Sequence, residues 1–120
     1  MDSQSLDQFR NVLQKHHYNL VNQIIRDEQE TRGTAERQPE DSGDMSTKSI
    51  ERDLLFAKAD SNHQMLRLIE LALERIRRAT FGTCTGCGDV ISITRLKAVP
   101  WALYCIKCQK HAEKHTAGVT

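Results

Sequence analysis

The 120-residue chain contains four cysteines in two C-x-x-C pairs, Cys84 with Cys87 and Cys105 with Cys108, seventeen residues apart. No other feature restricts the fold as much. Tetrahedral Zn²⁺ prefers four such ligands, with Zn–S bonds of about 2.3 Å. A two-residue spacer lets a tight turn aim both sulfurs of a pair at one ion. Gly86 and Gly88 relax the backbone there, so that amide N–H groups can turn toward sulfur. Arg95, Lys97, Lys107 and Lys110 lie close in sequence and could offset the thiolate charge. An all-cysteine set leaves no open coordination position, so the spacing predicts a structural zinc site rather than a catalytic one. A thioredoxin-type dithiol needs a βαβ context, which this sequence lacks. The polar start Met1-Asp2-Ser3-Gln4 begins no signal peptide. A cytoplasmic protein is therefore expected, and there structural disulfides are rare.

The remaining chain has little from which to build a thick core. Hydrophobic residues make up 38% and aromatic residues 5%, so an elongated helical shape with a metal at one end fits better than a compact globule. Ser5-Leu6-Asp7-Gln8 has capping-box form. Leu6, Phe9, Leu13, Leu20 and Ile24 then recur at helical spacing. The pattern predicts a helix from Leu6 to Arg32, about 40 Å long, with Gly33 as its stop. Residues 34–46 hold Pro39 and Gly43, lack periodicity and read as a loop. A second helix is expected from Ser46 or Thr47 to about Thr80, ended by Gly82. Its apolar stripe is Ile50, Leu54, Ala57, Met65, Leu68, Ala72 and Ile76. Glu74 stands three and four positions before Arg77 and Arg78, the spacing of helical ion pairs. The expected architecture is mainly α: a long antiparallel helical hairpin (a coiled coil) over residues 1–80, then a small four-cysteine finger with a short terminal helix over 81–120. A monomer is expected, with a dimer through the same stripes as the alternative.

Both stripes have a polar gap, at His16-His17 and at Ser61-Asn62-His63-Gln64. Folding about residue 40 would set residue 17 opposite residue 63, giving a polar layer of the kind that fixes coiled-coil register. The alternative is that both patches face solvent. In the finger, Val90-Ile91-Ser92-Ile93, Pro100 and Trp101 are expected to pack around the zinc site and the hairpin base.

Charge is nearly balanced overall, with 17 Lys and Arg against 16 Asp and Glu. Residues 34–47 alone hold four acids and one base, whereas residues 80–120 hold two acids and five bases. A strongly basic nucleic-acid module is disfavoured. No apolar run reaches the ~18 residues of a membrane span. Apart from the thiolates there is no acid–base or nucleophile constellation, so an enzyme is not expected.

The finger reads Phe81-Gly82-Thr83-Cys84-Thr85-Gly86-Cys87-Gly88, then Ile91, Arg95-Leu96, Ala98, Pro100 and Cys105-Ile106-Lys107-Cys108. With the approach Ile69 to Ile76, it resembles the DksA/TraR family of bacterial transcription factors. Asp41-Ser42-Gly43-Asp44-Met45-Ser46 is similar to that family's tip motif D-x-x-D-x-A, with Ser46 at the alanine position. The resemblance spans roughly residues 5 to 115 and implies a specific function. DksA-like proteins insert their hairpin into the secondary channel of RNA polymerase, bring an acidic tip near the active centre and alter promoter open complexes without binding DNA. It implies Asp41, Asp44 and Ser46 as the tip. Read alone, Asp41 and Asp44 are better explained as acids capping a helix N-terminus; it is the resemblance that favours the tip role.

Three departures from the family matter. Ser46 replaces alanine. The longer members' extra N-terminal segment has no counterpart before the first helix. The family loop R-L-E-A-R-P appears as Arg95-Leu96-Lys97-Ala98-Val99-Pro100, and Gln109 stands where lysine is common. Val99 and Gln109 cannot supply the basic groups that help DksA bind ppGpp. The expectation is a member that responds weakly or not at all to ppGpp. Two other functions fit the finger: a DNA-binding zinc finger, which the sparse basic tail Gln109–Thr120 does not favour, and a thiol redox sensor.

Overall fold

The computed structural model describes residues 1–36 and 45–117, and the side chains of 1–32 and 49–114. The fold is mainly helical: α1 (Ser3–Glu36), α2 (Met45–Arg77), α3 (Ile93–Ala98) and α4 (Ile106–Ala117). Among the described residues the only β pairing is one antiparallel bridge, Thr83 to Val90. The expected helical pair, finger and terminal helix are all present. The acidic loop with Asp41 and Asp44 lies outside the described residues, as does the side chain of Ser46, whose backbone belongs to the first turn of α2.

The helix ends differ from those expected. The cap of α1 is Asp2, not Ser5. Its carboxylate accepts from the Ser5 N–H at 2.8 Å, and its carbonyl accepts from Leu6 N–H at 3.1 Å. The Ser5 N–H, acting first, holds the Asp2 carboxyl below its usual range. α1 then runs through Gly33 to Glu36. A helical glycine costs only about 1 kcal/mol, which neighbouring turns can absorb.

α2 stops at Arg77, before Gly82. Thr80 N–H bonds Arg75 O at 2.9 Å and Ala79 N–H bonds Ile76 O at 3.2 Å, while Ala79 takes φ 61°. These are the two bonds of a Schellman ending, with alanine in the position glycine usually occupies. The Arg75 guanidinium reinforces the stop, donating to the carbonyls of Thr80 and Thr83.

The chain forms two compact units. The first comprises Met1–His16 with Leu68–Thr120. Its core joins Phe9 and Leu13 of α1, Ile69, Ala72 and Ile76 of α2, and Ile91, Leu96 and Ala102 of the finger. Leu13, Ile91 and Leu96 are fully buried, and each such side chain contributes roughly 1.5–3 kcal/mol. Phe9 packs on Phe81 with ring centroids 5.3 Å apart. His16 meets Trp101 edge-on at 5.5 Å, so it packs on the finger rather than joining a polar layer. The apolar linker is core only in part: Ile91 is buried, whereas Val90 and Ile93 are exposed.

The second unit is His17–Arg67, in which α1 and α2 run antiparallel. Asp27 of α1 meets Lys58 and Asn62 of α2, whereas folding about residue 40 would set it opposite residue 53. Asp27, Lys58 and Asn62 form a polar layer, and their register does not set His17 opposite His63. His63 instead lines a groove of about 290 Å³ beside Ile24 and Asp27. The expected stripe of α2 is also displaced. Ile50 and Leu54 are exposed, at 60% and 65%. The less exposed positions of α2 in this unit are Ala59, Asn62, Met65 and Leu66, so Met65 is the one member of the expected stripe that turns inward here.

Candidate metal centre

The finger forms two knuckles and a short helix that fixes their separation. In the first knuckle, Cys84 N–H bonds Asp89 O at 2.8 Å and Gly88 N–H returns to Cys84 O at 3.0 Å. Gly88 has φ +80°, a backbone state that favours glycine. Gly86 is needed for a different reason. Its N–H points at Cys84 Sγ from 3.3 Å, and a β-carbon there would lie 3.1 Å from Cys108 Sγ. The chain then pairs Ile91 N–H with Gly82 O at 2.7 Å and enters α3, where Ser92 Oγ accepts the Arg95 N–H.

Three bonds from this frame position the second knuckle. Thr85 gives both its N–H and its hydroxyl to Leu103 O, at 2.8 and 3.0 Å, and Arg95 Nε donates to Tyr104 O at 2.8 Å. Arg95, expected only to offset charge, therefore holds the backbone just before Cys105. Cys108 lies in the first turn of α4, where Gln109 N–H bonds Cys105 O. The carbonyl partners of Thr85 and Arg95 were not readable from sequence, because any residue offers a carbonyl.

The result is a cluster of four sulfurs, all within 4.8 Å of one another, with Cys87 and Cys105 Sγ 3.8 Å apart. A ZnS₄ tetrahedron with 2.3 Å bonds has edges of about 3.8 Å. The cysteines are thus positioned to bind a metal and suit Zn²⁺. Their protonation argues the same way. Burial raises the Cys84 thiol, but backbone N–H groups at Cys105, Cys87 and Gly86 outweigh it and draw it down to about 6. At Cys87 the Asp89 N–H pulls downward, yet bonding to Cys84 and burial leave it raised. Cys108, hydrogen-bonded to Cys84, Cys105 and Cys87, is pushed up to about 12. Four sulfurs this close do not all ionise without a cation among them. A zinc ion there would supply that charge and tie both knuckles together.

On α2 the expected ion pairs are present. Arg77 and Arg78 both bond the Glu74 carboxylate, at 2.5 and 2.9 Å. Both arginines are exposed and Glu74 is half-buried at the surface, and such pairs contribute little stability. No helix among the described residues is long and apolar enough to cross a membrane.

Residues 79–114 match the model of the prokaryotic dksA/traR C4-type zinc finger. The chain is 32% identical to the RNA polymerase-binding transcription factor DksA of Haemophilus influenzae, over 98% of its own length and 83% of that protein. It is 34% identical to an uncharacterised protein of Aquifex aeolicus over 88 residues, and spans 61% of that relative's length. Among solved structures, transcription factor DksA2 from Pseudomonas aeruginosa is similar with a TM-score of 0.83 and 28% identity, covering 97% of this chain and 88% of that one. With the paired cysteines and the helical pair already described, these likenesses show that the chain belongs to the DksA/TraR family.

Proposed function

We propose that this protein binds RNA polymerase and regulates transcription initiation by entering the secondary channel. In this reading Asp41, Asp44 and Ser46 form the tip that approaches the active centre and changes promoter open complexes. Cys84, Cys87, Cys105 and Cys108 hold a structural Zn²⁺ that ties residues 81–120 together, and residues 1–80 form the hairpin. The observation that carries the reading is likeness to DksA along almost the whole chain and not only the finger; the tip rests on the resemblance of Asp41-Ser42-Gly43-Asp44-Met45-Ser46 to the family motif. The local excess of acid in residues 34–47 supports it. Carboxylates suit a site near catalytic Mg²⁺ and basic polymerase groups.

The protein is not an enzyme, does not bind DNA directly, and works as a cytoplasmic monomer. Its response to ppGpp is weak or absent, because Val99 and Gln109 lack the needed charge. Direct titration against purified RNA polymerase tests the partner, with duplex DNA as the control. Saturable binding to polymerase that survives Asp44→Asn is expected, since a tip acts after docking. Salt-sensitive binding to DNA alone would support a DNA-binding finger instead.

A further inference from the structure

Two arginines occupy matching places in the finger. Arg75 of α2 donates from Nη2 to the carbonyl of Thr83, the residue before Cys84. Arg95 of α3 donates from Nε to the carbonyl of Tyr104, the residue before Cys105, at 2.8 Å. Each knuckle thus has one guanidinium on the peptide that leads into its first cysteine. Both arginines are half-buried, whereas Lys97, Lys107 and Lys110 are exposed.

A peptide unit is planar, so a bond that fixes its carbonyl also fixes the N–H and Cα of the next residue. At residues 83 and 104 that next residue is a cysteine of the metal centre. The first of these peptides is held at both ends, because Cys84 N–H bonds Asp89 O at 2.8 Å. Capping of α2 accounts for the bond from Arg75 Nη2 to Thr80 O, at 3.0 Å. It does not account for the bond to Thr83 O, which lies beyond the helix ending. A guanidinium is always charged and has donors in fixed directions, so its hydrogen bonds are strong and orienting. Metal ligands are commonly oriented by such outer partners.

We propose that Arg75 and Arg95 are positioning residues of the metal centre, one for each knuckle. Each fixes the peptide that carries the first cysteine of its pair, and so sets where that thiolate is presented. Neither is a ligand; both act through backbone carbonyls. The first knuckle is latched to the helix that ends beside it, and the second from within the finger. Four thiolates around Zn²⁺ leave a net negative charge, and these two half-buried cations stand on the peptides that enter it. This role rests on the reading of the four cysteines as a zinc site.

The test uses the full-length protein loaded with Zn²⁺ or Co²⁺. Arg95→Lys keeps the charge but places a methylene where Nε now donates, so it removes the bond alone. Arg75→Met removes the bonds to both Thr80 and Thr83. Each variant is expected to lower zinc affinity by about 10- to 100-fold in chelator competition. Each should also shift the Co²⁺ absorption bands that report thiolate geometry. Lys107→Met removes an exposed charge beside Cys108 and should leave affinity and spectrum at their wild-type values. Arg95→Lys with wild-type affinity and spectrum overturns the proposal. So does a loss in Lys107→Met as large as that in the arginine variants, which assigns the effect to net charge. Lower thermal stability of the arginine variants with unchanged affinity and spectrum also overturns it, since that marks a packing role. If Arg75→Met does not fold, Arg75→Lys, whose ammonium ends one atom short of Nη2, takes its place with the same expected result. A wild-type protein that takes up no Co²⁺ overturns the zinc reading itself, and this role with it.

Discussion

Replacing Gly86 with alanine probes the metal centre through a single methyl group. Gly86 does not adopt a positive φ, so alanine introduces no backbone strain. Its β-carbon would lie 3.1 Å from Cys108 Sγ, 3.3 Å from Cys108 Cβ and 3.4 Å from a Tyr104 ring carbon. Relief requires the sulfur to retreat by a few tenths of an ångström. Metal–ligand distances tolerate only about 0.2 Å. Perturbing the surroundings of a ligand in this way typically lowers metal affinity by about 10- to 100-fold, or roughly 1.4–2.7 kcal/mol. Because zinc binding at such a site is coupled to folding, thermal stability falls by a similar amount. Gly88→Ala is the matched control. It has open space around its β-carbon but φ +80°, so it should cost about 1–2 kcal/mol in backbone strain without touching a ligand. Chelator competition measures zinc affinity, and the Co²⁺ absorption spectrum reports tetrahedral thiolate geometry. Gly86→Ala should weaken zinc and distort the Co²⁺ spectrum, whereas Gly88→Ala should destabilise with a wild-type spectrum. A Gly86→Ala protein with wild-type zinc affinity and spectrum would refute the steric argument.

Other outcomes follow from the same geometry. Cys84→Ser should abolish metal binding and unfold residues 81–110 while helix content falls only partly; circular dichroism with metal analysis checks this, and unchanged thermal stability would contradict it. Ala79→Gly should raise stability by about 1 kcal/mol, because Ala79 sits at φ 61°; chemical denaturation reads the change. Zinc affinity should fall with pH, since the thiols of Cys87 and Cys108 are raised and zinc must expel their protons. Each proton expelled raises the apparent Kd about tenfold per unit of acidification near neutrality. It rises more steeply below about 6, where Cys84 also protonates.

The finger was the most legible part of the chain, because metal coordination constrains spacing directly: two knuckles of fixed length can meet at one point in few ways. The ion pairs of Glu74 with Arg77 and Arg78 were equally readable, since helical neighbours are fixed by the period alone. The face of α2 was not. Apolar periodicity ranks faces by hydrophobicity alone, and it carries no account of the Asp27 carboxylate on the opposing helix, which meets Lys58 and Asn62. Helix ends were misread for a related reason. Ser5 has capping form, but Asp2 reaches the Ser5 N–H first. The stop at Ala79 carries no sequence signature, because Arg75 and the finger carbonyls hold a conformation alanine would not choose alone. Asp41 and Asp44 remain assigned by likeness to the family motif.

The central claim is that an acidic tip acts on initiating RNA polymerase. Its most direct test is the lifetime of promoter open complexes with purified polymerase, comparing no factor, the wild-type protein and Asp44→Asn. The wild type should change the lifetime, while Asp44→Asn should bind polymerase without doing so. A wild-type protein that leaves open-complex lifetime unchanged at every promoter tried would contradict the account.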